Sequence, residues 1–220
     1  MKSLVDYSMK QPQFEEALFS TLEKRADDLT VAQLETLIWA VSKRKIQYKE
    51  NTDLIHRVTM RLVERVKTKS PSMKARGVAF AIEALANISI PNTEEQIGQV
   101  FARLESVVLT KLDEFIPHYL VKTLVAYSKV GHGSGELYDR LITQFIQAMT
   151  KDDGHTVKYS DLIKFFEVFP NVTYIYDHTM NSELYQVFIK QIKEVLTNNR
   201  FPTEDLCRVF NILVKISPYS

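Results

Sequence analysis

The chain of 220 residues carries 28 Lys and Arg against 27 Asp and Glu, for a formal net charge of +1, and is 45% hydrophobic and 25% charged. Such a length suits one ordinary domain or a short repeat array, and the composition is too apolar for disorder. The charge balance excludes nucleic-acid binding by bulk charge alone. Six Gly and seven Pro are few for the turns of an all-β fold, and a single cysteine, Cys207, excludes an intrachain disulfide framework and a thiolate-rich metal site.

Taken in chain order, residues 12–24 predict a leading helix through Phe14, Leu18, Phe19 and Leu22. LETLIWAVSK from Leu34 predicts the next, and 51–68 follow with Leu54, Ile55, Val58, Leu62 and Val66 at helical spacing. VAFAIEALAN starts at Val78. A helix opening at Thr93, with Gln96 in capping-box position, runs on through Ile97, Val100, Phe101, Leu104 and Val108. LVKTLVAYSK starts at Leu120, and Ser134 precedes a helix carrying Leu137, Leu141, Ile142, Phe145 and Met149. LIKFFEVFPN starts at Leu162 and is closed by Pro170. Asn181-Ser182 opens a helix with Leu184, Phe188, Ile189, Ile192 and Leu196, and LCRVFNILVK from Leu206 ends the series.

The five quoted decapeptides superpose without gaps, their starts separated by 44, 42, 42 and 44 residues. Four columns are apolar throughout: Leu34, Val78, Leu120, Leu162 and Leu206; Ile38, Ile82, Leu124, Phe166 and Phe210; a mostly small column of Ala40, Ala84, Ala126, Val168 and Ile212; and Val41, Leu85, Tyr127, Phe169 and Leu213. Offsets of four, six and seven residues fall along one side of a helix, and a small column lets a neighbouring axis approach closely. Stripes that keep phase at a nearly fixed spacing mark a repeat protein. The expected fold is therefore all-α, an α-solenoid of about five antiparallel helix pairs with a period of 42–44 residues. One repeat domain spans 1–220, with copies centred near 34–68, 78–112, 120–150, 162–198 and 206–217 after the leading helix 12–24. The last copy stops at its first helix, which leaves an open end as a candidate docking surface.

No catalytic constellation emerges, so no enzyme and no cofactor are expected. His56, His118, His132, His155 and His178 show neither i, i+4 pairing nor a His-Glu-x-x-His run. Gly131-His132-Gly133-Ser134-Gly135 lacks the Gly-Lys-Ser/Thr ending and the preceding strand of a phosphate loop, and reads as a flexible helix–helix turn. Cys207 shares a largely apolar column with Glu35, Ala79, Val121 and Ile163, which predicts a packed thiol. Glu94-Glu95 and Asp152-Asp153 suit helix starts or turns. Asn87-Ile88-Ser89 and Asn171-Val172-Thr173 match a glycosylation pattern, but both Asn sit where helices end. No apolar run reaches the roughly 20 residues of a bilayer span, and the first residues carry neither a secretory signal nor an evident transit peptide.

Leu37-Ile38-Trp39-Ala40-Val41-Ser42-Lys43 and Thr123-Leu124-Val125-Ala126-Tyr127-Ser128-Lys129-Val130-Gly131 resemble a known helical signature. It is the Leu-Leu-Trp-Ala-Leu-Ala-Lys-Leu-Gly run of the octotricopeptide and heptatricopeptide families and of the repeat region of FAST-kinase-like proteins. The second copy matches in part, the fourth and fifth poorly, and the period lies nearer the armadillo and HEAT range. The resemblance implies a mitochondrial (matrix) or plastid setting and a role with RNA or an RNA–protein assembly.

A polar strip runs through the same superposition. Thr36, Phe80, Lys122, Lys164 and Arg208 form one row, and Lys43, Asn87, Lys129, Asn171 and Lys215 a second row seven residues later. Basic or amide side chains fill eight of these ten places. Stacked repeats would present them as a ladder, the way the resembled families read single-stranded RNA, with Lys and Arg on phosphates and Asn and Thr on base edges. Charge is uneven as well. Between Ala40 and Arg76 stand eleven basic residues, and Arg57, Arg61 and Arg65 form a stripe that only Glu64 is near enough to relieve. The stripe is a candidate contact for phosphates or for an acidic partner. The expected function is a non-catalytic RNA-associated scaffold in a mitochondrial RNA-processing or ribosomal ribonucleoprotein assembly. The alternative is a structural subunit that bridges proteins in a large complex, with Ile175, Tyr176 and Tyr219 at an interface.

Overall fold

A computed structural model describes residues 12–43, 52–88, 94–150 and 157–173, together with 190, 193, 207–211 and 214. All of its regular structure is helical, so the fold is all-α among the described residues, which include eight α-helices, three short 3-10 helices and further helical residues at 190, 193, 207–211 and 214. These are α1 (Pro12–Arg25), α2 (Val31–Lys43), α3 (Thr52–Lys69), α4 (Ala75–Asn87), α5 (Glu94–Thr110), α6 (Pro117–Val130), α7 (Gly135–Thr150) and α8 (Tyr159–Thr173). The chain divides into two compact units, Met1–Thr110 and Lys111–Ser220.

In the first unit the chain alternates between two layers. α2 packs on α4 in one layer, α3 packs on α1 and α5 in the other, and α2 on α3 and α4 on α5 join the layers. In the second unit α6 packs on both α7 and α8. The apolar columns form the buried seam. The leading column (Leu34, Val78, Leu120, Leu162) is 0 to 6% exposed and the next (Ile38, Ile82, Leu124, Phe166) 0 to 4%. Full burial of one such side chain contributes roughly 1.5–3 kcal/mol. α4, flanked in both layers, buries most of its residues, as an interior helix must. In the second unit Phe145 of α7 stacks on Phe165 of α8 at 4.4 Å, and Phe165 meets Phe166 edge-on at 5.3 Å.

Two glycines have definite uses. Gly131 ends α6 at φ 67°, the left-handed conformation that stops a helix without a Cβ penalty. The segment expected to be a flexible turn is in fact pinned, because the Tyr138 hydroxyl donates to the His132 carbonyl at 2.6 Å and the Leu137 amide to the Ser134 hydroxyl at 3.2 Å. Gly77 lies where α4 faces α2, and the Glu35 carboxylate of α2 fills the space that a Cβ would take. α2 itself begins with a capping box, in which the Thr30 amide donates to the Gln33 side chain at 2.9 Å and the Gln33 amide to the Thr30 hydroxyl at 3.4 Å.

Three expectations are corrected. Pro170 does not close its helix, since α8 runs three residues further to Thr173. A proline so near a C-terminus removes only one late backbone bond. The small column is not uniformly packed. Ala84 lies two turns from Gly77 on the face toward α2 and is 1% exposed, whereas Ala40, with no described helix on the matching side of α2, is exposed. Cys207 is exposed rather than packed. Its equivalent Glu35 faces the following helix, and no helix is described beyond the fifth copy. The helix with residues 184–196, and most of the last copy, lie outside the described residues.

The seam makes a graded prediction for stability. Ile82→Ala should lower unfolding stability by about 2–5 kcal/mol, while Val125→Ala, at a half-buried position of α6, should cost less than about 1 kcal/mol. Denaturant unfolding of the two variants checks the order.

Candidate nucleic-acid interface

Leu34, Ile38 and Val41 turn into the seam, so Thr36 on the opposite side of α2 faces outward. The same register places Phe80 and Asn87 on α4, Lys122 and Lys129 on α6, and Lys164 on α8 away from the buried columns. Thr36, Asn87, Lys129, Lys164 and Arg208 are exposed, and Phe80 and Lys122 half-buried. The side chains of Lys43 and Asn171, and Lys215 as a whole, lie outside the described residues. Several members already have local work, and the Thr36 hydroxyl donates to the Ala32 carbonyl at 3.0 Å. The Asn87 amide donates to the Glu83 carbonyl at 2.9 Å, in keeping with a helix-terminal Asn, and Arg208 pairs with Glu167 at 2.7 Å. That pair ties a residue of the fifth copy to the outward face of α8.

The arginine stripe has a different setting from the one expected. Arg57 Nε donates to Glu23 Oε1 at 2.7 Å, an Arg61 guanidinium N–H to the Glu23 carbonyl, and Arg65 Nη2 to the Asp27 carbonyl at 2.6 Å. Arg61 and Arg65 also reach the Asp27 carboxylate at 3.5 and 3.9 Å. The acceptors lie in the last turn of α1 and the 3-10 turn Ala26–Asp28 that follows it. A helix end leaves carbonyls without intrahelical partners and carries partial negative charge, so a row of cations on α3 satisfies both. The view that only Glu64 relieves the stripe is thereby corrected, since Glu23 and Asp27 do so across the layer. Helical spacing within one segment gives no sign of partners 34 to 38 residues away.

Two carboxylates are shifted in opposite directions. The hydrogen bond from Arg57 holds Glu23 below the usual carboxylate range, and the same contact raises Arg57. Burial at the Gly77 niche pushes Glu35 up, and the charge of Arg76 offsets part of that rise. In the second unit His118 Nδ1 lies 2.8 Å from Asp161 Oδ1, linking α6 to the first turn of α8. Asp161 is 2% exposed and its Oδ2 has no partner, so the imidazole and the adjoining helix N-terminus carry the compensation for a buried carboxylate.

Among the described residues no group of three or more His, Cys, Asp or Glu is placed to hold a metal ion. No helix among them is long and apolar enough to cross a membrane. Comparison with models of known protein families gives no match, and comparison with curated proteins gives none either.

The shifted carboxylates predict opposite pH behaviour. Glu23, lowered in the folded state, stabilises above its unfolded pKa and loses that contribution as pH falls through the folded value. Glu35, raised in the folded state, favours folding below its unfolded pKa and loses that contribution as pH rises through the folded value. Glu35→Gln should therefore raise Tm at pH 7, with the gain vanishing below about pH 4. Glu23→Gln should lower Tm at pH 7 by a small amount that shrinks with added salt, because the Arg57 pair is solvent-screened. Thermal melts across pH 3 to 8 check both signs.

Proposed function

We propose that this chain is a non-catalytic helical-repeat scaffold of the α-solenoid type, which holds single-stranded RNA on the outward sides of the first helices of its copies. The observation that carries this reading is the outward row itself. Thr36, Lys164 and Arg208 are exposed two residues after the leading apolar position of their copies, and Asn87 and Lys129 nine residues after it, polar and basic positions that the buried columns do not require. A ladder with one or two side chains per repeat suits an extended strand, whose phosphates and unstacked bases recur at regular intervals. The row, rather than the stripe on α3, is the surface proposed for RNA, because Arg57, Arg61 and Arg65 are engaged with α1. The resemblance of the Trp39 and Ala126 segments to organellar repeat proteins supports a mitochondrial RNA-processing or ribosomal ribonucleoprotein setting.

A second reading, a subunit that bridges proteins, is favoured by a different observation. Phe210 is 66% exposed and Val214 62%, although the equivalents of Phe210 are buried in the four preceding copies. They stand four residues apart on one helix face and form an apolar edge of the kind that protein contacts cover.

Fluorescence anisotropy with a labelled mixed-sequence RNA separates the two. The RNA reading expects micromolar or tighter binding that weakens steeply between low and near-physiological salt. The triple variant Lys122→Glu, Lys129→Glu, Lys164→Glu should weaken it at least tenfold and flatten the salt slope by about one for each phosphate that is no longer neutralised. Binding that is unchanged in the triple variant would remove the outward row from consideration. No binding even at low salt would leave protein bridging as the function to pursue.

A further inference from the structure

Trp39 is the chain's single tryptophan, and it is 45% exposed on α2. An indole carries a large apolar area whose exposure is costly, so a half-exposed one on a well-packed helix calls for a reason. The repeat does not supply it. The equivalent positions in the other copies are Glu83, Val125, Glu167 and Asn211, half-buried or exposed, so packing of the fold needs no aromatic ring there. Nor do its described neighbours on α2 form a broad apolar patch. Ala32, Thr36 and Ala40, its neighbours on the outward side of α2, are small and exposed.

The adjoining helix adds a second ring. Trp39 stands one turn beyond Glu35, whose carboxylate meets α4 at Gly77, while Phe80 stands one turn beyond Gly77. Both rings therefore border the same seam between α2 and α4. Phe80 is half-buried, and the exposed Arg76 guanidinium carbon lies 5.6 Å from its ring centroid. A cation held over one ring, beside an open indole and the exposed Thr36 hydroxyl, is the combination that accepts a base on a π-face and its phosphate on a guanidinium. A docking protein would more readily match a continuous apolar patch.

We propose that Trp39 is a stacking platform for one base of a single strand, with Phe80 and Arg76 supplying a second ring and the nearest phosphate charge. This rests on the RNA reading above and assigns its point of aromatic contact. Stacking tolerates any base, so the site favours single strands over duplex without reading sequence.

Because Trp39 is alone in the chain, its own emission reports the contact directly. The wild-type protein is titrated with oligouridylate and oligoadenylate, reading intrinsic fluorescence and anisotropy of labelled RNA in parallel. The expected result is saturable quenching with the same midpoint as the anisotropy curve. Trp39→Leu should weaken binding by about 5- to 100-fold, the effect of removing one base stack, while Trp39→Phe retains most of the affinity. The salt slope should be the same in all three proteins, since no charge changes. RNA binding with unaltered emission and an unaltered Trp39→Leu affinity would overturn the platform while leaving the RNA reading intact. Absence of RNA binding at low salt would overturn both. Emission that ignores RNA but shifts to the blue in a complex with a protein partner would assign Trp39 to that partner and overturn the proposal. Circular dichroism of each variant ensures that a weaker affinity does not come from unfolding.

Discussion

The interlayer seam is the constraint from which the rest of this structure follows. Leucine, isoleucine, valine and phenylalanine recur at offsets of zero, four and seven residues in the first helix of each copy, and the described ones are nearly all buried. Those offsets fix which direction every other side chain on the same helix takes. Once Leu34 and Ile38 turn inward, Glu35 must meet the next helix and Thr36 must face out, and the first unit shows that arrangement. The outward row is thus a consequence of the core, held by rigid elements rather than by loops. What remains open to change on that face is its chemistry, because no packing requirement dictates it.

Charge in this protein divides between holding helices and facing outward. Arg57, Arg61 and Arg65 engage the end of α1, where backbone carbonyls and the acidic side chains of Glu23 and Asp27 converge. The energetic gain is of the kind that cations give at helix C-termini, modest for each contact and larger when several act at once. Arg65 is the least exposed of the three and is committed most deeply, while Arg57 stays largely in solvent. A basic stretch that looks like a patch for an anionic ligand is, in its central stripe, an internal fastening. Three of the eleven basic residues between Ala40 and Arg76 are therefore structural.

The periodic part of the fold was legible because the period repeats. The columns headed by Leu34 and Ile38 identified the helices and the buried faces correctly in the first four copies. Features set by a single long-range neighbour were not legible. The acceptors of the arginine stripe lie in a helix that sequence spacing does not connect to α3, and the exposure of Cys207 depends on what stands beside the last copy. Pro170 does not mark a helix end for another reason, since in the last turn of α8 a proline removes only one late backbone bond. Trp39 was hidden by its own motif. Within Leu37-Ile38-Trp39-Ala40-Val41 it looks like one more core residue, yet its offset from Leu34 is five, between the inward offsets of four and seven, and it points away from the buried core between the layers, toward the outer border of α2 with α4.

That same offset bears on what the outward face is for. Polar and charged side chains at offset two and offset nine need only remain solvated to be consistent with folding, so by themselves they do not distinguish a binding surface from an ordinary one. An exposed indole is different, because water does not favour it and the neighbouring copies fold with Glu, Val or Asn in its place. The Arg76 guanidinium held over Phe80 reinforces the point, for it places a cation on the α4 side of the seam that Trp39 borders. Half-buried Glu35 lies between them, with its carboxylate drawn toward the Gly77 niche. Two rings and a guanidinium, beside a carboxylate whose charge Arg76 opposes, would suit an anionic strand with stackable bases better than a cationic one.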